Sequence, residues 1–262
     1  MNLIGEIKMR IRSKVLALLL LLALVPGLAV ADSAIMEELG SKAAKKAMQD
    51  LKMEKEDADL LVLTNAGHAI VDGQTTQAAL KGLSAESGNS IGDANLFQVL
   101  RPHWKPVWFY FFDKATGEAV FLQADSKALK GSLDEFKALA NDQVFSKISK
   151  ANVDLNYLAN HTDEGNATFD GKAFNGNEFS LAGISNVWAR GGAFDFIQAT
   201  CFHDHLCPGV TSGLFLACLL YTSDAADAPP CVDIGGRRIL KTKKNNPHPP
   251  RPYTSTSSIP PS

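Results

Sequence analysis

The segment CFHDHLCPG, Cys201 to Gly209, places Cys201, His203, His205 and Cys207 at alternating positions and then stops at Pro208-Gly209. The chain has four Cys and six His, so half of its thiols and a third of its imidazoles lie in seven residues. Neutral imidazole and thiolate are the ligands that zinc and similar divalent transition metals prefer, and a thiolate is also a nucleophile. In an extended strand these four side chains would share one face, with Phe202, Asp204 and Leu206 on the other. Full extension spreads four donors too widely for one ion, so a shared site requires a bend. Pro208 bears on this, because a residue before proline is held extended and proline favours the first turn of a helix. A helix opening near Val210 would set Cys207 beside an amide-rich N-terminus, which suits a nucleophilic thiolate or a metal ligand.

Three readings of this cluster stay open on spacing alone. The first is a metal or reactive-thiolate site drawing on Cys201, His203, His205 and Cys207. The second is a Cys201–Cys207 disulfide, although six residues of strand separate the α-carbons by about 20 Å, against a usual limit of about 7 Å. The third is the ordinary burial of Cys and His in a core. His68, His103 and His161 read as surface or loop residues.

The elements that must position the cluster are written in hydrophobic periodicity. Met36, Leu39, Ala43, Ala47 and Leu51 recur at three- and four-residue steps, which predicts an amphipathic helix over 34–51. LLVLT, residues 60–64, predicts a buried strand, and a helix is expected around 74–83, closed by SGNSIGDAN. Strand-like runs at 96–100 and 107–112 flank RPHWKP, and DKATG turns the chain into 118–123, making 107–123 a hairpin candidate. Ser132 and Glu135 form a capping-box pattern ahead of an apolar stripe through Leu133, Phe136, Leu139, Ala140, Val144 and Ile148, which predicts one helix. Residues 152–200 are rich in Asn, Gly and Phe and read as irregular and partly stranded. Asn160 and Asn166 open Asn-x-Thr sequons, whose glycosylation stays open. Together these elements predict an α+β fold, with helices on one face of a mainly antiparallel sheet.

The two ends read differently from the middle. Residues 1–31 carry Lys8, Arg10, Arg12 and Lys14, then the apolar run Val15–Val25, then Ala29-Val30-Ala31. This is the layout of a secretory signal peptide cleaved after Ala31, and the run falls short of the roughly 20 residues of a bilayer span. The expected location is therefore extracytoplasmic, with no stable membrane span after cleavage. From Cys218 onward the text is rich in Pro and Ser. LLYTSDAAD followed by VDIGGRRIL resembles translated sequencing-adapter read-through, so 218–262 is expected to be an artefactual or disordered tail, with the true gene continuing past Ala217. The full chain has 26 basic and 28 acidic residues. Setting aside four basic and one acidic residue in the leader, and six and three in the tail, leaves 16 and 24, a net charge of −8. Such a surface disfavours nucleic acid and anionic lipid. A protein partner and self-association both stay open.

His203-x-His205-x-Cys207-Pro208-Gly209, followed by Gly213, resembles the opening motif of the FmdE family, named for one component of formylmethanofuran dehydrogenase, where Asp204 is typically glycine. The pieces LGSKAAKKAMQDL, DLLVLTNAGHAIVDGQTTQAAL, SGNSIGDANL and FYFFDKATGEAVFL are similar, in order, to the remainder of one family domain. The resemblance implies a tandem arrangement. Residues 32–124 would be a degenerate first copy with Asn89 in place of a ligand-type cysteine. A helical and irregular connector would follow over 125–200, and a second copy would begin at 201–217 and be cut short. It further implies an α+β domain and a bound transition metal, most often zinc. The family takes its name from the methanogen enzyme that interconverts carbon dioxide and formylmethanofuran. The FmdE component of that enzyme is not expected to carry the molybdenum or tungsten pterin, and an exported member is poorly placed to join a cytoplasmic complex. The expected function is thus an exported metal-binding protein that holds a divalent metal through His203, His205 and Cys207, with Cys201 as an optional extra ligand, and whose first copy is a scaffold or partner-binding module. The alternatives are a metal- or thiolate-dependent oxidoreductase or one-carbon enzyme component using Cys207, and a cell-surface interaction protein.

Overall fold

A computed structural model describes residues 33–224. The expected signal peptide, with its expected cleavage after Ala31, lies outside the described residues; of the expected artefactual or disordered tail, 218–224 are helical and the remainder lies outside the described residues. The chain divides into two compact units, Met1–Leu214 and Phe215–Ser262, and the sheet and the candidate site belong to the first. In chain order the first half comprises helix α1 (33–51), β1 (Leu60–Thr64), β2 (Ile70–Val71), β3 (Gln74–Thr75), α2 (Ala79–Ser87), β4 (Leu96–Gln98), β5 (Trp108–Asp113) and β6 (Glu118–Ala124). It continues with α3 (Leu133–Ala138), α4 (Asn141–Val144), β7 (Phe145–Asn152), α5 (Leu155–Asn160), α6 (Thr162–Asp170), α7 (Glu178–Ala189), α8 (Phe194–His203) and α9 (Pro208–Asp224). Among the described residues, no helix is long and apolar enough to cross a membrane.

Five strands form one sheet in the order β4-β1-β5-β6-β7, parallel between β1 and β4 and antiparallel elsewhere, while β2 and β3 form a separate small ribbon. The fold is α+β, with helices packed on a mixed, mostly antiparallel sheet. Helices cover both faces rather than the single face expected. Leu60, Val62, Phe109, Phe111, Val120 and Leu122 join Ile35, Leu39, Ala43 and Ala47 of α1 in one core. Their alternate neighbours Leu61, Leu63, Trp108, Tyr110, Phe112 and Phe121 join Leu181, Ile184, Ile197 and Cys201 in a second. Every residue of β1 and β5 is buried, which is why these strands read as unbroken apolar runs rather than alternating ones. Each large side chain buried this way contributes about 1.5–3 kcal/mol.

α1 and α2 cross at glycines. A Cβ on Gly40 would sit 2.0 Å from the Ala79 carbonyl oxygen, and one on Gly82 would sit 1.9 Å from that of Glu37, so only hydrogen fits at this contact.

Several expected elements differ. Gln74 and Thr75 pair with Ile70 and Val71, and the helix begins only at Ala79. The capping box is present, with the Ser132 hydroxyl accepting from Glu135 N–H and the Glu135 carboxylate accepting from Ser132 N–H. The helix it opens ends at Ala138, and Phe145–Asn152 becomes the edge strand instead of continuing the stripe. Pairing with β6, through a register shift between Gln123 and Ala124, outweighs the local helical pattern there. Residues 152–200 are mainly helical. Their Asn, Asp and Gly residues serve as caps and turns, as where the Asp154 carboxylate accepts from Asn156 and Tyr157 N–H. The stretch read as a connector thus supplies the edge strand and the helical layer over the second core.

Candidate metal centre

The expected bent ribbon is a helix–turn–helix junction. α8 ends at His203, Asp204 adopts the left-handed conformation (φ +82°, ψ −26°), and Pro208 opens α9. α8 is held by its inward face of Phe196, Ile197, Thr200 and Cys201, leaving Phe202 (74% exposed) and His203 outward. The turn brings His203 and His205 together in a way that neither regular structure would. In a continued helix, residues two apart lie about 200° apart around the axis. In a strand they share a side but sit two pleats apart. Here the two imidazole ring centres are 4.7 Å apart.

Cys207 completes the group. Its carbonyl accepts from Thr211 N–H at 3.2 Å and its Sγ from Val210 N–H at 3.5 Å, so the thiol caps the first turn of α9, where Pro208 was expected to put it. The donor atoms of His203, His205 and Cys207 all lie within 4.8 Å of one another, and among the described residues this is the one such group of three or more metal-ligating side chains. Nitrogen and sulfur donors on one tetrahedral zinc stand roughly 3.5 Å apart, given metal–ligand distances of 2.0–2.3 Å. The group is thus somewhat wider than one ion requires but of the right order, and the imidazole-plus-sulfur donor set suits a divalent transition metal. Three protein donors leave a fourth position for water, substrate or another side chain.

Cys201 stands apart. It is fully buried in the second core, and burial, with the Asp204 charge adding to it, pushes its thiol up to about 12. Its sulfur is not among the converging donor atoms, because the helix turns its side chain inward while His203 faces out. Both cysteines are free, which removes the disulfide reading. Asn89 is likewise internal. Its Nδ2 donates to the carbonyls of Leu60 at 2.6 Å and Asn95 at 3.0 Å, tying the loop before β4 to β1. His161 stacks on Tyr157 and His103 meets the edge of Trp104, and neither is a member of the group.

Three neighbours were not legible in the sequence. Arg101 Nη1 pairs with Asp204 Oδ2 at 2.5 Å, Arg101 Nη2 donates to Ser180 Oγ at 3.3 Å, and the Phe179 ring centre lies 6.1 Å from that of His205. Burial raises the Asp204 carboxyl above its ordinary range, opposed by the charges of Arg101, His205 and His203. Arg101 and Asp204 are 103 positions apart, and only the proximity of α8 to the end of β4 unites them. The chain matches no protein-family model, and no curated protein is significantly similar to it.

Proposed function

We propose that this chain is an exported metal-binding protein that holds one divalent transition ion, zinc foremost, through His203, His205 and Cys207. The convergence of three donor atoms within 4.8 Å carries this reading. The resemblance of the segment to the opening motif of the FmdE family supports it from the sequence side, as does the leader-like N-terminus for export. In this reading the residues up to 124 act as scaffold or partner-binding surface, since their Asn89 amide is engaged with backbone carbonyls. A bound ion would supply a Lewis acid with an open position. The protein's part would be to present two imidazoles from either side of one turn and a thiolate from a helix start.

A second reading has one observation in its favour. Cys207 stands at the first turn of α9 with the Val210 N–H directed at its Sγ, the position in which a thiol nucleophile of an oxidoreductase or one-carbon enzyme component would be presented. Metal analysis of the purified full-length chain tests the first reading: close to one equivalent of zinc is expected, with loss in both Cys207→Ser and His205→Ala. Unchanged metal content in both variants rejects it.

A further inference from the structure

We propose that Arg101 is the positioning residue of the His203–Cys207 group, its guanidinium holding Asp204 in the left-handed conformation that turns His203 and His205 toward a common point. The proposal rests on the metal reading for its consequence and on the geometry of the turn for its cause. Asp204 is the single residue between the two histidines, so its backbone angles set where one imidazole stands relative to the other. Positive φ is unfavourable for a residue with a Cβ, and although Asp tolerates it better than most, an uncommitted Asp has easier conformations.

Arg101 removes that freedom. The Arg101–Asp204 side chains are only 18% and 27% exposed, and the ion pair is short. Arg101 is itself anchored by Ser180 from α7. The backbone adds a second tie at the same place, since the Cys201 carbonyl accepts both from Leu100 N–H at 2.9 Å and from Asp204 N–H at 3.2 Å. The end of β4 and the end of α8 are therefore clamped twice, once through a carbonyl and once through a charge pair. Arg101 Nε and Asp204 Oδ1 are buried without a hydrogen-bond partner. Such a pair is a poor device for stability alone, because desolvation offsets much of its attraction. It is an effective device for fixing one geometry.

The test is made on the full-length chain with two readouts. In the first, Co2+ is titrated against a competing chelator and the visible spectrum recorded. Arg101→Met is expected to weaken Co2+ binding about tenfold to a hundredfold, the range found when groups that orient metal ligands are removed, and to shift the bands. Arg101→Lys should recover part of the loss, and Arg101→Met should do little more once Asp204→Gly has removed its target. In the second, hydrogen exchange of the Asp204 and His205 amides is followed in metal-free protein and is expected to be faster in Arg101→Met. Wild-type affinity and spectrum in Arg101→Met would overturn the proposal, as would equal amide protection. Should the wild type take up no Co2+, the metal reading falls, and the exchange result alone decides the role of Arg101.

Discussion

The loop at Asn89 and the turn at Asp204 pose the same local problem and solve it oppositely. Each follows a helix, each carries polar side chains, and each reaches across to a neighbouring segment. At Asn89 the amide N–H groups are used up on the carbonyls of Leu60 and Asn95, and the side chain is wholly buried, with its Oδ1 lacking a hydrogen-bond partner. At Asp204 the carboxylate is engaged by Arg101, while the flanking His203, His205 and Cys207 keep their donor atoms directed at one another. A lone polar side chain whose donors tie two backbone segments together is a strut. Side chains left with lone pairs converging in space can bind something. The difference lies in whether several ligand atoms converge after folding, which residue type alone does not reveal.

That contrast predicts that damage at the first loop is read in stability and damage at the second in metal affinity. The largest effect is expected from His203→Ala, which should lower zinc affinity at least about a hundredfold, equivalent to about 2.7 kcal/mol, while leaving the chemical denaturation midpoint of the metal-free chain unchanged. A matching loss of metal-free stability would make His203 a strut like Asn89. Next, Asn89→Ala should cost about 1–3 kcal/mol, because the carbonyls of Leu60 and Asn95 each lose a donor, with no change in zinc affinity. A fall in affinity there would break the comparison from the other side.

The two cysteines sharpen it further. Because burial raises the Cys201 thiol to about 12 in the folded state, against an unfolded value of about 8.5, the folded chain binds the proton more tightly. Its contribution to stability is complete below pH about 8.5 and declines as pH rises towards 12. Cys201→Ala should flatten that decline in alkaline denaturation curves. An unchanged slope would mean that Cys201 ionises freely and sits closer to solvent than its core position implies. The smallest effect concerns the second core itself: Tyr110→Phe removes the hydroxyl that meets Ser185 Oγ at 3.0 Å and should lower stability by about 0.5–1.5 kcal/mol, without touching metal uptake.

Much of the sheet is legible in the residue pattern. The unbroken apolar runs at 60–64 and 107–112, the DKATG turn and the 34–51 periodicity all predict elements that form, because each is a short-range pattern whose burial satisfies itself locally. The Leu133–Ile148 stripe shows where such patterns fail, since β6 offers Phe145–Asn152 a ladder that a helix would have left unpaired. The Asn- and Gly-rich stretch over 152–200 conceals four helices for a related reason: residues that break elements also cap them. Near the site, the crowding of Cys and His and the role of Pro208 in opening α9 are readable, while the inward turn of Cys201 is not.

What the amino-acid order determined unaided is a set of periods, caps and ligand types: which segments must hide a face, where helix α9 starts, and that imidazole and thiol lie within a few residues of each other. Whether those groups meet was decided by tertiary structure. An αL residue between two histidines, held by an arginine 103 positions away, arises only once α8 has docked beside the end of β4. The physical reason is that convergence of donors depends on a backbone angle, and at Asp204 that angle is set by a partner remote in the chain.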